Sequence, residues 1–310
     1  MKPYILPSVS RLISSSTKLT LVALALSASV ASAATLSSYF DFTQYGTVSG
    51  GSTVTSNVLG NTSGTLSSSG TTLNSSGLAV ALGNTVPNTG LPFNAGSLSS
   101  FTGDFSLQIW YTMNATLNTD IKDHDLFGGT TSASIDGTLV GDQGLVVAYN
   151  NNAGTPQFIR PIIGNNTQYG TTVNPPIGTG MTPSTLYDLT LTYNSTSHNF
   201  TLYMNGVSVA SGAPTTYFTS LAAVTNFAIG GVSHPAFGDG ALAQTTTSFL
   251  MYTGELTGTQ VADIHAFGST PTMSQLGTVV TVPEPGTFAM LLGGIGMLAL
   301  FRRRGKRATS

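Results

Sequence analysis

Apolar residues recur in the central part of the chain in short runs with a period of two, and no long run shows the 3.6-residue period of a helix. In FSLQIWYTM, alternate residues from Phe105 to Tyr111 are apolar, and Ser106, Gln108 and Trp110 lie between them. This period predicts a half-buried strand, with one face in the core and the other toward solvent. Clusters of Gly, Asn, Ser or Pro separate such runs, which is typical of an all-β sandwich or barrel. The predicted strands are Ser38–Phe42, Gly77–Leu82, Phe105–Met113, Gly144–Tyr149, Gln157–Ile162, Tyr187–Tyr193, Asn199–Met204, Phe227–Gly230 and Thr247–Tyr252.

The segment LYDLTLTYNSTSHNFTLYMNGVSVASG, residues 186–212, gives the clearest local prediction. Apolar and polar residues alternate on both sides of a polar turn at Asn194–His198. The dipeptide Asn205-Gly206 follows, and both residue types tolerate the positive φ angles of a type I′ turn. The segment therefore predicts three antiparallel strands joined by two tight turns.

Two stretches of this segment, Leu191–Asn194 and Leu202–Gly206, resemble the paired strands of laminin-G-like domains with the concanavalin-type jelly roll. Phe105–Tyr111 is similar to an early core strand of that family. Ser248–Ala266 is similar to its closing strand and the short helix that follows. The resemblance implies an all-β, concanavalin-type jelly-roll β-sandwich over residues 34–268.

Details of this domain remain open at three places. Residues 46–76 are of low complexity and match the family weakly. A loop, an insertion and an irregular first hairpin are the three alternatives for this region. Either Thr257 or Thr259 is expected to cap the closing helix. Residues 269–281 are expected to be a linker.

The N-terminus has the layout of a secretory signal peptide. A basic, polar start is followed by the apolar stretch Leu19–Ser29, and Ala31 and Ala33 supply small residues in an A-x-A arrangement. We therefore expect residues 1–33 to be a leader that is cleaved after Ala33, and the body of the protein to be exported.

The C-terminus combines three features in a fixed order. Thr287–Phe301 is uncharged and apolar, and as a helix of fifteen residues it predicts a short membrane span of roughly 22 Å. Arg302, Arg303 and Arg304 follow, and such positive charge is retained on the cytoplasmic side of a membrane. Before the apolar run stands a proline-rich motif that holds the chain extended. Its residues are Val282, Pro283, Glu284 and Pro285.

This arrangement at residues 282–310 resembles the PEP-CTERM sorting signal. The resemblance implies recognition by an exosortase-type processing enzyme, a transient intermediate in the inner membrane of a Gram-negative bacterium, and delivery to the cell surface or the extracellular polysaccharide. A Pro-rich linker before a plain membrane anchor is the alternative.

Charge and cysteine content exclude several classes of function. Charged residues are 7% of the chain, far below the roughly 25% of average proteins. Between Ala34 and Val282 only Lys122 and Arg160 are basic, against eleven acidic residues, so this body carries −9 and has no basic stripe for nucleic acid. The absence of cysteine excludes disulfides, Cys-ligated metals and thiol nucleophiles.

Candidate chemistry in the body is sparse. Glycosidases need two carboxyl groups around the scissile bond. The glucanase branch of the resembling fold carries E-x-D-x-E, whereas this chain has only Glu255 and Glu284. We therefore expect no catalytic residues. Trp110 is the candidate glycan contact, although most aromatic residues in a sandwich belong to the core.

No cofactor is expected, with one alternative left open. Asp120, Asp123 and Asp125 supply closely spaced oxygen ligands of the kind that Ca²⁺ prefers. Their spacing matches no EF-hand, so a solvated, charged loop is the favoured interpretation. The four histidines show no metal-ligand spacing.

The sequence thus predicts a non-enzymatic, exported protein of the surface or polysaccharide matrix, structural or glycan-binding. A secreted polysaccharide hydrolase or lyase with the same fold is the alternative. A surface-layer protein that only fills space and binds no ligand is a third hypothesis.

Overall fold

The structure is a computed structural model that describes most of the predicted body. The described residues are 34–48, 53–55, 59, 63–66, 71–80, 93–113, 123–130, 144–150, 158–165, 168–171, 182–213, 221–222, 224, 226–230, 240–241 and 244–281. The predicted leader, residues 1–33, and the predicted sorting tail, residues 282–310, lie outside this set, so their helices and cleavage sites stay predictions.

Short strands make up nearly all of the described regular structure, which confirms the all-β prediction. In chain order they are β1 (Thr35–Asp41), β2 (Thr53–Thr55), β3 (Ser63–Leu66), β4 (Thr71–Asn74), β5 (Gly77–Val80), β6 (Phe93–Asn94), β7 (Phe105–Met113), β8 (Asp123–Thr130), β9 (Gly144–Asn150), β10 (Phe158–Asn165), β11 (Gln168–Thr171), β12 (Leu186–Asn194), β13 (Asn199–Met204), β14 (Val207–Gly212), β15 (Asn226–Ile229), β16 (Gly240–Ala241) and β17 (Gln244–Thr253). Two short helices follow, α1 (Gly258–Ala266) and α2 (Met273–Leu276).

The strands form two sheets that pack face to face. The first has the order β14-β13-β12-β7-β17-β5-β4, with β1 also paired to β17. The second has the order β11-β10-β9-β8-β15-β6-β3-β2, with β16 alongside β8. All named pairs are antiparallel except β16 with β8. This is a β-sandwich consistent with the predicted jelly roll.

Aromatic side chains fill the space between the two sheets. Phe249 of the first sheet meets Phe127 of the second edge to face, with ring centroids 5.1 Å apart, and lies 5.7 Å from Phe227. Phe40 and Phe93 make a similar contact at 5.2 Å. All five rings are fully buried. Such pairs bury large apolar areas in a preferred geometry, so they hold the two sheets together.

The outer face of the first sheet is covered by residues 254–281, and this cover corrects two predictions. β7 was predicted to be half-buried, but both of its faces are buried. Residues 269–281 were predicted to be a linker, but Leu276 and Val280 pack into a second core under the helices. The partners in that core include Leu36, Tyr39, Tyr203, Leu250, Tyr252, Val261 and Ile264. The folded domain therefore extends to Thr281, beyond the expected boundary at Gly268.

Side-chain hydrogen bonds explain how polar positions of the sheet accept this cover. The Ser106 hydroxyl donates to the Gly254 carbonyl at 3.1 Å and accepts from the Leu256 N–H at 2.8 Å. The Ser248 hydroxyl donates to the Ser269 carbonyl. Because the small hydroxyls satisfy backbone groups of the covering segment, the polar alternation of the strands is compatible with burial.

The local turn and cap predictions are confirmed. Asn205 and Gly206 have φ angles of 50° and 77°, as the type I′ turn requires. Of the two candidate caps, Thr257 starts α1 with a capping box, in which it accepts from the Gln260 N–H and Gln260 accepts in return from the Thr257 N–H.

Two further regions differ from or refine the expectations. The low-complexity stretch 46–76 contains β2, β3 and β4, so it contributes strands to both sheets. Asp123 and Asp125 lie in β8 and not in a loop, while Asp120 lies outside the described residues.

Within the described part of the chain no helix is long and apolar enough to cross a membrane.

Candidate functional site

A buried carboxylate, Asp188, lies at the centre of the polar cluster on the outer face of the first sheet. It occupies β12 directly opposite Trp110 of β7, and its side chain is inaccessible to solvent. One carboxylate oxygen accepts from the Gln108 side-chain amide at 2.9 Å, and the other lies 3.0 Å from Nδ1 of His265. Thr190 approaches the first oxygen at 3.5 Å. Burying a charge is costly unless it is paired, and these contacts supply the pairing.

The β13–β14 turn fixes the position of Asp188. The Asp188 N–H donates to the Asn205 side-chain oxygen at 3.0 Å, and the Asn205 N–H donates to the Asp188 carbonyl at 2.8 Å. Gly206 has no side chain, and a Cβ there would come within 3.0 Å of His265. The turn thus positions the carboxylate and leaves room for the imidazole above it.

Helix α1 brings His265 over the sheet, where its ring stacks on Trp110. The ring centroids are 5.2 Å apart and the planes differ by 2°. Trp110 is only 5% exposed, whereas the His265 side chain keeps 33% of its surface exposed. The three side chains form a layered site, which we call the Asp188–His265–Trp110 cluster.

Burial is the main electrostatic influence on this cluster. It raises the pKa of Asp188 above its usual value, and the bonds from Gln108, His265 and Thr190 oppose the shift. Burial also raises the pKa of Tyr252 well above its ordinary value, with the negative charge of Asp188 adding to the effect. The pKa of Tyr39 is raised chiefly by burial as well.

A carboxylate bonded to Nδ1 of a histidine is the orienting part of many acid–base sites. A catalytic arrangement also needs a nucleophile or substrate group at Nε2. None of the described residues hydrogen-bonds to Nε2 of His265, and the ring face is taken up by Trp110. These contacts therefore fit an anchor that fastens α1 to the sheet.

The remaining predicted site residues are placed as follows. Trp110 offers little free ring surface, because it is buried in the sheet and His265 covers one face. A sugar could stack on it only after His265 moved, and the glycan contact stays a prediction. The described residues hold no group of three or more His, Cys, Asp or Glu side chains placed to bind a metal ion. The sorting motif, the leader cleavage residues Ala31 and Ala33, and the arginine tail lie outside the described residues.

Sequence reasoning missed Asp188 and His265 as a pair. The two residues are 77 positions apart, and histidine spacing alone gave no indication of a partner. The available signal was an aspartate in the middle of an otherwise apolar and hydroxyl-bearing strand, since such a residue needs a partner when it is buried.

A second polar contact joins the start of β7 to the β12–β13 turn. Asp104 accepts from the Ser195 N–H at 2.7 Å and from its hydroxyl at 2.5 Å. Glu255 accepts from the Asn194 side-chain amide at 2.7 Å. Both carboxylates hold the turn in place, so this contact has a structural role.

We expect the stability contributed by Asp188 to fall as pH rises. Because the folded protein binds its proton more tightly than the unfolded chain does, the contribution is fully present below the unfolded pKa of about 4 and is lost as pH rises through the raised folded pKa. The measurement is the free energy of unfolding in urea between about pH 4 and pH 6, for the native chain and Asp188→Asn. Subtracting the variant's free energy of unfolding from that of the native chain removes the contribution of the other carboxylates. This difference should decrease as the pH rises across the range. A difference that rises with pH would contradict the assignment.

Comparison with known proteins identifies the tail and the fold. Residues 281–307 match the PEP-CTERM protein-sorting motif. The match confirms the predicted sorting signal, which implies export, a surface or extracellular location and recognition by an exosortase-type enzyme. No protein with curated annotation matches the sequence.

Among solved structures, a Trypanosoma rangeli sialidase aligns with 77% of this chain and 33% of its own, at 15% identity and a TM-score of 0.51. This chain therefore spans about a third of the sialidase, and the likeness shows a shared β-sandwich fold alone. Domain 4 of an extracellular arabinanase from Geobacillus stearothermophilus, in complex with arabinotriose, aligns with 75% of this chain and 99% of its own. The identity is again 15%, and the TM-score is 0.46.

Proposed function

We propose that this chain is processed by an exosortase-type enzyme at the inner membrane of a Gram-negative cell and then serves in the cell surface or polysaccharide matrix. Its β-sandwich acts there as a structural or glycan-binding module without enzymatic activity. The observation that carries the proposal is the match of residues 281–307 to the PEP-CTERM protein-sorting motif, which starts at Thr281, a residue of the folded domain.

The contacts of three described carboxylates support a non-enzymatic role. Asp188 is engaged by Gln108 and His265 inside the sheet. Asp104 and Glu255 fasten a turn. A hydrolase needs one carboxyl group poised as an acid and another beside the reacting carbon, and these three groups are committed to protein partners.

The surface chemistry supports a carbohydrate setting. The body combines few charges with many Ser, Thr and Asn side chains, which can hydrogen-bond with sugar hydroxyls and water.

Exchange of Glu284 tests the sorting half of the proposal. Hydrogen bonds to a charged group contribute roughly 1.5–3 kcal/mol, so Glu284→Gln should slow processing about tenfold or more. Intact-mass spectrometry of the protein recovered from cells measures the fraction that has lost the apolar tail. Glu255→Gln is the matched control, because it is the chain's other glutamate and glutamine can still accept from Asn194. Equal processing of both variants would argue against recognition of the motif.

The second half is tested on the mature protein incubated with the native extracellular polysaccharide. Retention of the protein on the purified polymer supports a glycan-binding role. Recovery of the protein with the matrix from cells, without retention on the purified polymer, supports a structural role. Release of new reducing ends would instead favour the alternative, a polysaccharide hydrolase.

A further inference from the structure

The first and last described residues of the domain are hydrogen-bonded to each other. The Thr281 N–H donates to the Ala34 carbonyl at 3.0 Å, and the Leu36 N–H donates to the Thr281 carbonyl at 2.9 Å. Thr281 and Thr35 form a parallel β-bridge in this way. We call this pairing of Thr281 with residues 34–36 the terminal clasp.

Packing holds the terminal clasp closed. Ala34 and Leu36 are buried on the N-terminal side. Leu276 and Val280 are buried in the second core just before Thr281. Releasing Thr281 therefore means breaking two backbone hydrogen bonds and loosening buried side chains, which is a local opening with a free-energy cost.

The sorting motif begins inside the clasp. The family match starts at Thr281, and Pro283 follows two residues later. Two extended residues span at most about 7 Å. An enzyme that binds a peptide in extended form commonly pairs with its backbone N–H and C=O groups. Both of these groups of Thr281 are already used by the chain at residues 34–36.

We propose that the terminal clasp controls access of the processing enzyme to the sorting motif. The closed clasp keeps Thr281, the first residue of the family match, paired with the folded domain, and processing takes place when Thr281 separates from β1. This inference rests on the proposed sorting function and adds a regulatory step to it.

The clasp also links the two ends of the exported domain. If the leader is cleaved after Ala33, the new terminal residue is Ala34, which is buried and bonded to Thr281. Cleavage needs an accessible Ala34, so leader removal precedes closure of the clasp.

A reversible lock tests the inference. The chain has no cysteine, so Thr35→Cys together with Thr281→Cys introduces a single designed disulfide across the β-bridge, where neighbouring Cα atoms lie within bonding range. Protein that has lost the leader but keeps the tail, residues 34–310, is incubated oxidised or reduced in membranes that contain the processing enzyme, and the tail-free fraction is followed by mass spectrometry. The oxidised form should be processed at least about tenfold more slowly than the reduced form, a factor that corresponds to about 1.4 kcal/mol.

A second variant opens the clasp instead. Leu276→Ala removes a buried side chain close to Thr281 in the chain and should raise the processing rate above that of the native protein. Fluorescence of Trp110, the only tryptophan, reports whether the domain stays folded.

The outcomes separate the two proposals. Equal rates for the oxidised and reduced lock would overturn control by the clasp and leave the sorting function intact. Absence of processing in the native chain and in the reduced lock alike would overturn the sorting function, and the inference with it.

Discussion

Replacing Phe249 with alanine is expected to lower the free energy of unfolding by about 3–5 kcal/mol. Phe249 lies in β17, between Phe40 of β1 and Ile109 of β7 in the register of the first sheet. Its ring reaches across to Phe127 and Phe227 of the second sheet. Removing it deletes contacts on both sides of the sandwich and leaves a cavity that the rigid sheets cannot close.

Denaturant unfolding of the native chain and the variant measures this change. Phe267→Ala is the matched control, because the chemical change is the same but Phe267 is only half-buried, at the end of α1. The control should lose less than half as much stability. Similar losses at both positions would show that the aromatic contacts between the sheets are not the main source of stability.

Residues 254–281 form only two short helices, but their side chains build the second core against the first sheet. The aromatic core joins the two sheets, while residues 254–281 seal the outer face of the first sheet. The Asp188–His265–Trp110 cluster lies in this outer layer, at the contact between α1 and the sheet. The same layer includes Thr281, the residue at which the match to the sorting motif begins.

Local features of the fold were predictable from the sequence because local residues determine them. The period of two in FSLQIWYTM gave β7 with the bounds that the structure has. The positive φ angles available to Asn205 and Gly206 gave the hairpin turn. Thr257 and Thr259 were both candidates for the cap of α1, and the structure shows that Thr257, which begins a T-x-x-Q sequence with Gln260, is the cap.

Long-range features were not predictable from these patterns. Ser106 and Gln108 look like solvent-facing positions of a strand, yet Ser106 bonds to Gly254 and Leu256, about 150 residues away. Thr272 and Gln275 form a capping box that also has the T-x-x-Q pattern. It was overlooked because a four-residue helix has too few apolar residues to show a period.

The candidate site was the least predictable part, since it depends on register. Asp188 faces Trp110 only because β12 pairs with β7 in one alignment, and a shift of β12 by one residue would turn its side chains to the other face. His265 then arrives from a helix whose position is set by the second core. No spacing in the sequence encodes either contact.

Gly77→Ala is expected to lower the free energy of unfolding by roughly 2–5 kcal/mol, through backbone strain and overpacking together. Gly77 begins β5 with a φ angle of 126°, a conformation that residues with a Cβ rarely adopt. A Cβ here would also overlap the carbonyl oxygen of Thr246 in β17, the neighbouring strand. Because that oxygen belongs to the backbone, relief requires moving β5 away from β17.

Gly46→Ala provides the control, since a Cβ at Gly46 meets no atom within 4 Å. Its free energy of unfolding should stay within about 0.5 kcal/mol of the native value. Thermal unfolding of the two variants makes the comparison, and a Gly77→Ala protein as stable as the control would mean that β5 is not held against β17 as the register shows.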